Sequence, residues 1–216
     1  PRRADKTTTC SKYLATQAKK ESGQPATVVG NGVWPRKFVG KREAREALGL
    51  RVDAQYVGFM GRTCDEINWC FDGLREVVQT HPQLRFAICG APESVLANVD
   101  SVLRKRIDYL GQLTPQGAES FSSSLDVGLL PLQDNLFNRS RFPIKLAEYL
   151  AAGTPVLCSS VGECAEIARG QSGIIEAGSS REEWLLAFRS AVQSLAAQKL
   201  PMLNSSILAD TFSWTR

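Results

Sequence analysis

The 216-residue chain has a single histidine, His81, and none of its six cysteines forms a Cys-x-x-Cys pair. A zinc centre needs three or four such ligands at close spacing, so no metal site is expected. No apolar run approaches the roughly 20 residues that cross a bilayer, and no signal-peptide pattern opens the chain. Charge is also scarce as an excess: 26 basic against 22 acidic residues leave +4. That balance tolerates phosphate ligands or an anionic membrane surface, but it gives no reason to expect a nucleic-acid partner. No internal repeat or low-complexity tract is present. The opening Pro1-Arg2-Arg3-Ala4-Asp5 reads as the interior of a protein and both ends look cut, so the sequence is read as a fragment. Cys89 and Cys158 lie inside apolar runs, where cysteine acts as a small core residue. Cys64 and Cys70 fit no thiol motif and are expected to be partly buried near the site; reduced thiols suit a cytosolic protein.

What the chain does have is alternation. Short apolar runs at Ala26–Val29, Gln55–Met60, Leu84–Cys89, Arg106–Leu110, Val127–Pro131, Pro155–Ser159 and Gly173–Glu176 read as strands. Helix-period segments separate them, at Trp69–Thr80, Ser94–Val99, Pro115–Ser123, Pro143–Ala152, Cys164–Ala168 and Arg181–Ala197. Repeated strand–helix–strand order implies an α/β fold, a doubly wound parallel sheet of Rossmann-like type with helices on both faces. Ala4–Lys20 reads as one helix before a Gly30-Asn31-Gly32 turn. Residues 1–30 are therefore taken as the end of a preceding domain with its linker, and residues 31–216 as the ligand-binding domain.

Ligands of such sheets bind outside the carboxyl ends of the strands. The segments found there are Gly58-Phe59-Met60-Gly61-Arg62, Gly90-Ala91-Pro92, Gly111-Gln112-Leu113 and a long polar loop, Leu132–Phe142, leading to the helix opened by Pro143. On that helix Leu146, Leu150, Ala147, Ala151 and Ile144 form an apolar face, with Lys145, Glu148 and Tyr149 opposite. Taken alone, Lys145 and Glu148 are a solvated pair worth a few tenths of a kcal/mol. At the mouth of a parallel sheet the same helix aims its amides at phosphate, and a carboxylate one turn in can accept ribose hydroxyls. Arg62, beside a glycine, can face the same diphosphate. His81, followed by Pro82, reads as a turn residue.

These residues resemble a family. From Asp5 to Trp214 the chain is similar to the carboxyl-terminal, donor-binding domain of retaining glycosyltransferases of the GT-B fold, family 4 (glycosyl transferases group 1). The matching pieces stand in family order. They run from Cys10-Ser11-Lys12-Tyr13-Leu14 and Gly30-Asn31-Gly32-Val33, through Gly58–Arg62, His81–Phe86 with Gly90, and Leu110-Gly111, to Asp126–Pro131. Pro143–Leu150 with Gly153-Thr154-Pro155-Val156, then Gly162 with Glu166-Ile167, and Phe212-Ser213-Trp214 complete them. The resemblance implies transfer of a sugar from a nucleoside-diphosphate sugar, of UDP or GDP type, to an acceptor hydroxyl, without a cofactor or metal. It places Gly61 and Arg62 near the diphosphate, with Gly90 beside them, and the backbone of Gly111, Gln112 and Leu113 at the base. Ser140, Arg141, Phe142 and Pro143 fall at the sugar and distal phosphate, and Glu148 at the ribose. Acceptor contacts, to a glycan or lipid, belong to the amino-terminal half, so this half alone is expected to transfer little or nothing. Localisation is expected in the cytoplasm, with peripheral contact at the inner face of the membrane open to the full-length protein.

The chain departs from the pattern in three places. Ser140 stands where the first of two glutamates eight positions apart is usual, Ile67 and Asn68 occupy the place of a lysine, and Pro143 replaces a glycine and has no N–H. Lys145 or Arg141 is left to supply the missing positive charge. Two rivals share the fold: a nucleotide-sugar epimerase, for which the loops offer few acids or bases, and a non-catalytic donor-binding scaffold. A dinucleotide oxidoreductase is disfavoured, because Gly58-x-x-Gly61 lacks the third glycine of that fingerprint.

Overall fold

The computed structural model describes residues 4–33, 39–62, 65–169, 171–201 and 203. The chain opens with β1 (Thr7–Thr9), α1 (Lys12–Ser22) and β2 (Ala26–Val28). β1 and β2 pair in parallel as a separate two-stranded sheet. The single helix expected over Ala4–Lys20 is thus split. Three consecutive β-branched threonines favour strand at its start. Ser11 then caps α1, its Oγ accepting the Leu14 N–H at 3.2 Å.

α2 (Lys41–Ala47), β3 (Gln55–Met60), α3 (Ile67–Val77) and β4 (Leu84–Cys89) follow. Next come a 3-10 turn at Glu93–Leu96, α4 (Ser101–Arg104), β5 (Ile107–Tyr109), α5 (Pro115–Ser124), β6 (Val127–Leu130) and α6 (Leu136–Ser140). α7 (Ile144–Ala151), β7 (Val156–Ser159), α8 (Glu163–Ala168), β8 (Ile174–Ala177) and α9 (Arg181–Ala196) end the described order. The helix expected at Ser94–Val99 is instead a 3-10 turn and, beyond it, the short α4, because Asp100 restarts the helix by accepting the Val102 and Leu103 N–H groups. β3 to β8 form one parallel sheet in the order β5-β4-β3-β6-β7-β8. This is the doubly wound α/β fold that the alternation implies.

The period of two in each strand builds two cores. Val57, Phe59, Phe86, Ile88, Val127 and Leu129 pack with α3 and α9, around the fully buried Trp184 and Phe188. Tyr56, Met60, Ala87, Cys89, Leu130 and Cys158 face the other way and pack with α5, α7 and α8. On that second face Gly58 and Gly128 are register partners in the two central strands. A Cβ at Gly58 would lie 2.4 Å from Leu125, and one at Gly128 would lie 2.6 Å from the Tyr149 ring. Only glycine admits helices that close to the sheet.

That packing corrects the face assigned to Tyr149. It is fully buried, whereas Ile144 is 43% exposed. Its α-carbon lies about 60° around the helix from that of Leu146 (at ~100° per residue), so the ring can turn inward where Gly128 leaves room. Cys70 also differs from expectation: it is 1% exposed, inside the α3 core. Cys64 and Phe212-Ser213-Trp214 lie outside the described residues. Among the described cysteines Cys10, Cys89, Cys158 and Cys164 are free thiols. No helix among the described residues is long and apolar enough to cross a membrane.

Candidate functional site

The chain runs from β3 outward through β4 to β5, then crosses back to place β6 on the other side of β3. The order therefore reverses between β3 and β6, and a crevice at the carboxyl ends of these two strands is where open α/β sheets bind ligands. On the β3 side three loops are joined by their backbones. The Gly61 N–H donates to the Cys89 carbonyl at 3.1 Å, and the Gly90 N–H to the Gly111 carbonyl at 2.8 Å. Gln112 Nε2 then donates to the Gly90 carbonyl at 2.9 Å. Gly90 has φ of 80°, and a Cβ there would lie 3.2 Å from the Gly61 carbonyl oxygen, so a side chain would be both strained and crowded. Gly61, Gly90, Gly111 and Gln112 thus come together as one rim. Leu113 packs beneath it on the second core, and Arg62 is exposed at its edge.

On the β6 side, α7 carries Lys145 and Glu148, paired at 2.6 Å with both side chains about one-third exposed (35% and 32%). Cys89 lies close enough to feel both charges; burial first, with Glu148 adding to it against Lys145, pushes its thiol up to about 12. The helix that carries the pair shares a core with the ends of β3 and β4, its Leu146, Ala147 and Tyr149 packing in one cluster with Met60 and Cys89. Burial likewise raises the Tyr149 phenol. The amide supply at the start of α7 is reduced. Pro143 has no N–H, and those of Ile144 and Leu146 donate to the carbonyls of Phe142 and Pro143. Cationic side chains must then carry more of any anion's charge.

Ser140, Arg141 and Phe142 form the lip between α6 and α7. The Ser140 hydroxyl turns back to the Phe137 carbonyl at 2.9 Å. The Arg141 guanidinium lies 5.0 Å from the centre of the Phe137 ring, and its buried Nε has no hydrogen-bond partner among the described residues. Phe142 packs beside Gly30, where a Cβ would approach the ring to 3.1 Å.

Several contacts here escaped the sequence. Glu66, 7% exposed at the start of α3, accepts the Gln133 N–H at 2.9 Å and Asn138 Nδ2 at 3.2 Å. Ser11 donates its hydroxyl to the Ser140 carbonyl at 2.7 Å. Glu163 accepts the Lys12 N–H, and Glu166 pairs with the Lys12 ammonium at 2.8 Å. An acid just ahead of a helix was the available signal for Glu66, but its partners lie on a different loop. Asp126, conspicuous in the Asp126–Pro131 run, stands at the opposite end of β6. There it accepts the Tyr56 N–H at 2.7 Å and pairs with the buried Arg45 at 2.8 Å. A cleft of about 340 Å3 also lies at that far end, between Asp53, Gln55, His81 and Gln83. His81 Nδ1 is 3.2 Å from the Val77 carbonyl oxygen at the end of α3, in a turn. Among the described residues no cluster of His, Cys, Asp or Glu is arranged for a metal ion.

Comparison with known proteins agrees with this architecture. Residues 54–197 match the family described as glycosyl transferases group 1. The D-inositol 3-phosphate glycosyltransferase of Mycobacterium marinum is 26% identical over 186 residues, covering 81% of this chain and 38% of that protein. Across the first curated relatives the chain spans 38–40% of their length. Among solved structures, the sucrose-phosphate synthase of Thermosynechococcus elongatus superposes with a TM-score of 0.79 at 18% identity, over 99% of this chain and 55% of that one. Anabaena Alr3699/HepE, solved with UDP and glucose, gives 0.73 at 17% identity over 97% and 60%. The chain belongs to the glycosyl transferases group 1 family, and its fold is that of the carboxyl-terminal domain of a GT-B glycosyltransferase.

Proposed function

We propose that this chain binds the donor, a nucleoside-diphosphate sugar of UDP or GDP type, for a glycosyltransferase that moves the sugar to an acceptor hydroxyl with retention of anomeric configuration. Residues 31–216 form the donor-binding unit, and residues 1–30 lead in from the half that binds the acceptor. The observation that carries the reading is one of position. At the strand-order reversal, the glycine rim of Gly61, Gly90 and Gly111 follows β3 and β4, whose last residues Met60 and Cys89 share a core with α7, the helix that carries Lys145 and Glu148.

Each part has a task in this reading. The rim lets backbone approach the nucleotide, with Gln112 and Leu113 beside the base. Glu148 accepts the ribose hydroxyls. Arg62 and Lys145 stabilise the diphosphate as its negative charge grows on leaving, which is electrostatic catalysis by preplaced cations. Lys145 must then turn from Glu148 toward phosphate. The Lys145–Glu148 bond is part-exposed and contributes no more than about 1 kcal/mol, so the exchange costs little. Two matched structures containing UDP, with and without glucose, support a nucleotide-sugar ligand for this fold.

Calorimetric titration of the chain with UDP and GDP, up to millimolar, tests the proposal. One nucleotide is expected to bind, and Glu148→Ala and Arg62→Ala are each expected to weaken it about tenfold, the scale of a lost charge-assisted hydrogen bond. A folded chain that binds neither would refute donor binding. Binding untouched by both substitutions would move the site elsewhere.

A further inference from the structure

The lip Ser140–Pro143 and the loop Gly61-Arg62 belong to different strands, and a nucleotide sugar can bridge them only if their separation is fixed. Glu66 is placed to fix it. It follows Arg62 by four positions and opens α3. One carboxylate oxygen, Oε1, accepts the Gln133 N–H at 2.9 Å and Asn138 Nδ2 at 3.2 Å. Asn138, 4% exposed, sends the same amide nitrogen to the Gln133 carbonyl at 2.8 Å and takes its own backbone cap from Asn135 at 2.9 Å. The polar loop is thereby closed on itself and tied to the start of α3. Its base is held separately, the Leu132 N–H donating to Ser159 Oγ at 3.0 Å.

Enclosing a carboxylate is costly unless its lone pairs are filled. Among the described residues Glu66 has no ion-pair partner, and its bonded donors are neutral amides on one loop. A neutral glutamine could make the same two contacts, so their geometry, rather than the charge, carries the connection.

We infer that Glu66, acting through Asn138, is a positioning residue of the donor site. It sets the distance between the diphosphate loop and the sugar lip, so that both ends of an intact nucleotide sugar are held together. The inference rests on the donor reading above. It separates two ligands that the reading alone treats alike, because only the intact donor places a sugar against the lip.

The test compares UDP or GDP, whichever binds, with UDP-glucose or GDP-mannose on the same chain. Glu66→Ala and Asn138→Ala are each expected to weaken the nucleotide sugar about tenfold while the bare nucleotide stays within about twofold. The double variant is expected to lose no more than either alone, since both break one connection. Glu66→Gln keeps an acceptor oxygen and is expected to restore the preference for the sugar-bearing ligand. A merely structural role would lower the melting temperature and weaken both ligands equally. The proposal is overturned if Glu66→Ala, folded by circular dichroism, leaves the ratio of the two affinities unchanged. A wild-type chain that binds neither nucleotide sinks the donor reading itself, an outcome distinct from failure of Glu66 alone.

Discussion

Replacing Asp126 tests whether this residue of the Asp126–Pro131 motif acts only on the fold. Its Oδ2 accepts the Tyr56 N–H and the Arg45 guanidinium, and its Oδ1 accepts the Lys41 ammonium at 2.6 Å. The Asp126 and Arg45 side chains are 13% and 6% exposed. Removing one partner of a buried pair costs about 3–5 kcal/mol, because the other charge is left behind. Arg45 keeps the carbonyls of Ser124, Ala54 and Val52 as acceptors, which puts its share near the lower limit. The orphaned Tyr56 N–H adds about 1 kcal/mol, for a total near 4 kcal/mol in Asp126→Ala. At this chain length that is a fall in melting temperature on the order of 10 °C. Asp126→Asn keeps an acceptor for Tyr56 and is expected to lose about half as much. Urea unfolding should show a lower midpoint at an unchanged slope, the signature of lost stability rather than altered unfolding. A loss below about 1 kcal/mol would refute the energetic argument. A folded Asp126→Asn chain that no longer binds nucleotide would refute the placement of this residue away from the site.

Gly128→Ala is expected to cost about 1–3 kcal/mol by overpacking, since the new Cβ would sit 2.6 Å from the Tyr149 ring; an unchanged thermal midpoint would mean that Tyr149 has room to move. The docking of α1 should depend on pH. The hydrogen bond from Lys12, then the Arg169 charge, holds Glu166 below its ordinary 4.5, and Glu166 in turn raises Lys12 above 10.5. A depressed acid stabilises above its unfolded value and loses that contribution as pH falls through the folded one. A raised base contributes below its unfolded value and loses it as pH rises through the folded one. Hydrogen-exchange protection of residues 12–22 is therefore expected to be lower at pH 3 than at pH 6, by less than about fivefold because the pair is exposed. Equal protection factors at the two pH values would assign the docking to Ser11 and Glu163 alone.

Most of the sheet was legible because its strands are buried on both faces and bounded by glycine, proline and polar residues. The candidate site was legible in its geometry wherever a loop follows such a strand: that Gly61, Gly90, Gly111 and Gln112 come together is a consequence of strand order. What escaped depends on contacts between distant segments. α6 is five residues long, and its composition reads as a loop. It is capped by Asn135 and anchored through Asn138 to a glutamate 72 positions away. Tyr149 lies beside Lys145 on a helical projection, and only a glycine on the neighbouring strand makes burial possible. Asp126 illustrates a different point. A residue that precedes a parallel strand lies at the end away from the ligand, so the strand's direction was informative where the motif was not.

The lip is held from three sides, which gives a physical account of the serine at position 140. Glu66 fixes the loop from the β3 side, Ser159 fixes its base from β7, and Ser11 binds the Ser140 carbonyl from α1. Gly162 leaves no gap behind it, since a Cβ there would lie 2.9 Å from Arg139. With its carbonyl taken by Ser11 and its hydroxyl by Phe137, Ser140 contributes backbone position rather than charge. Among the described residues the buried Nε of Arg141 in the lip has no hydrogen-bond partner. A buried donor of that kind carries a desolvation cost until something accepts from it. Under the donor reading, the lip thus offers the Arg141 guanidinium beside Ser140, the position at which the family resemblance leads to the expectation of a glutamate.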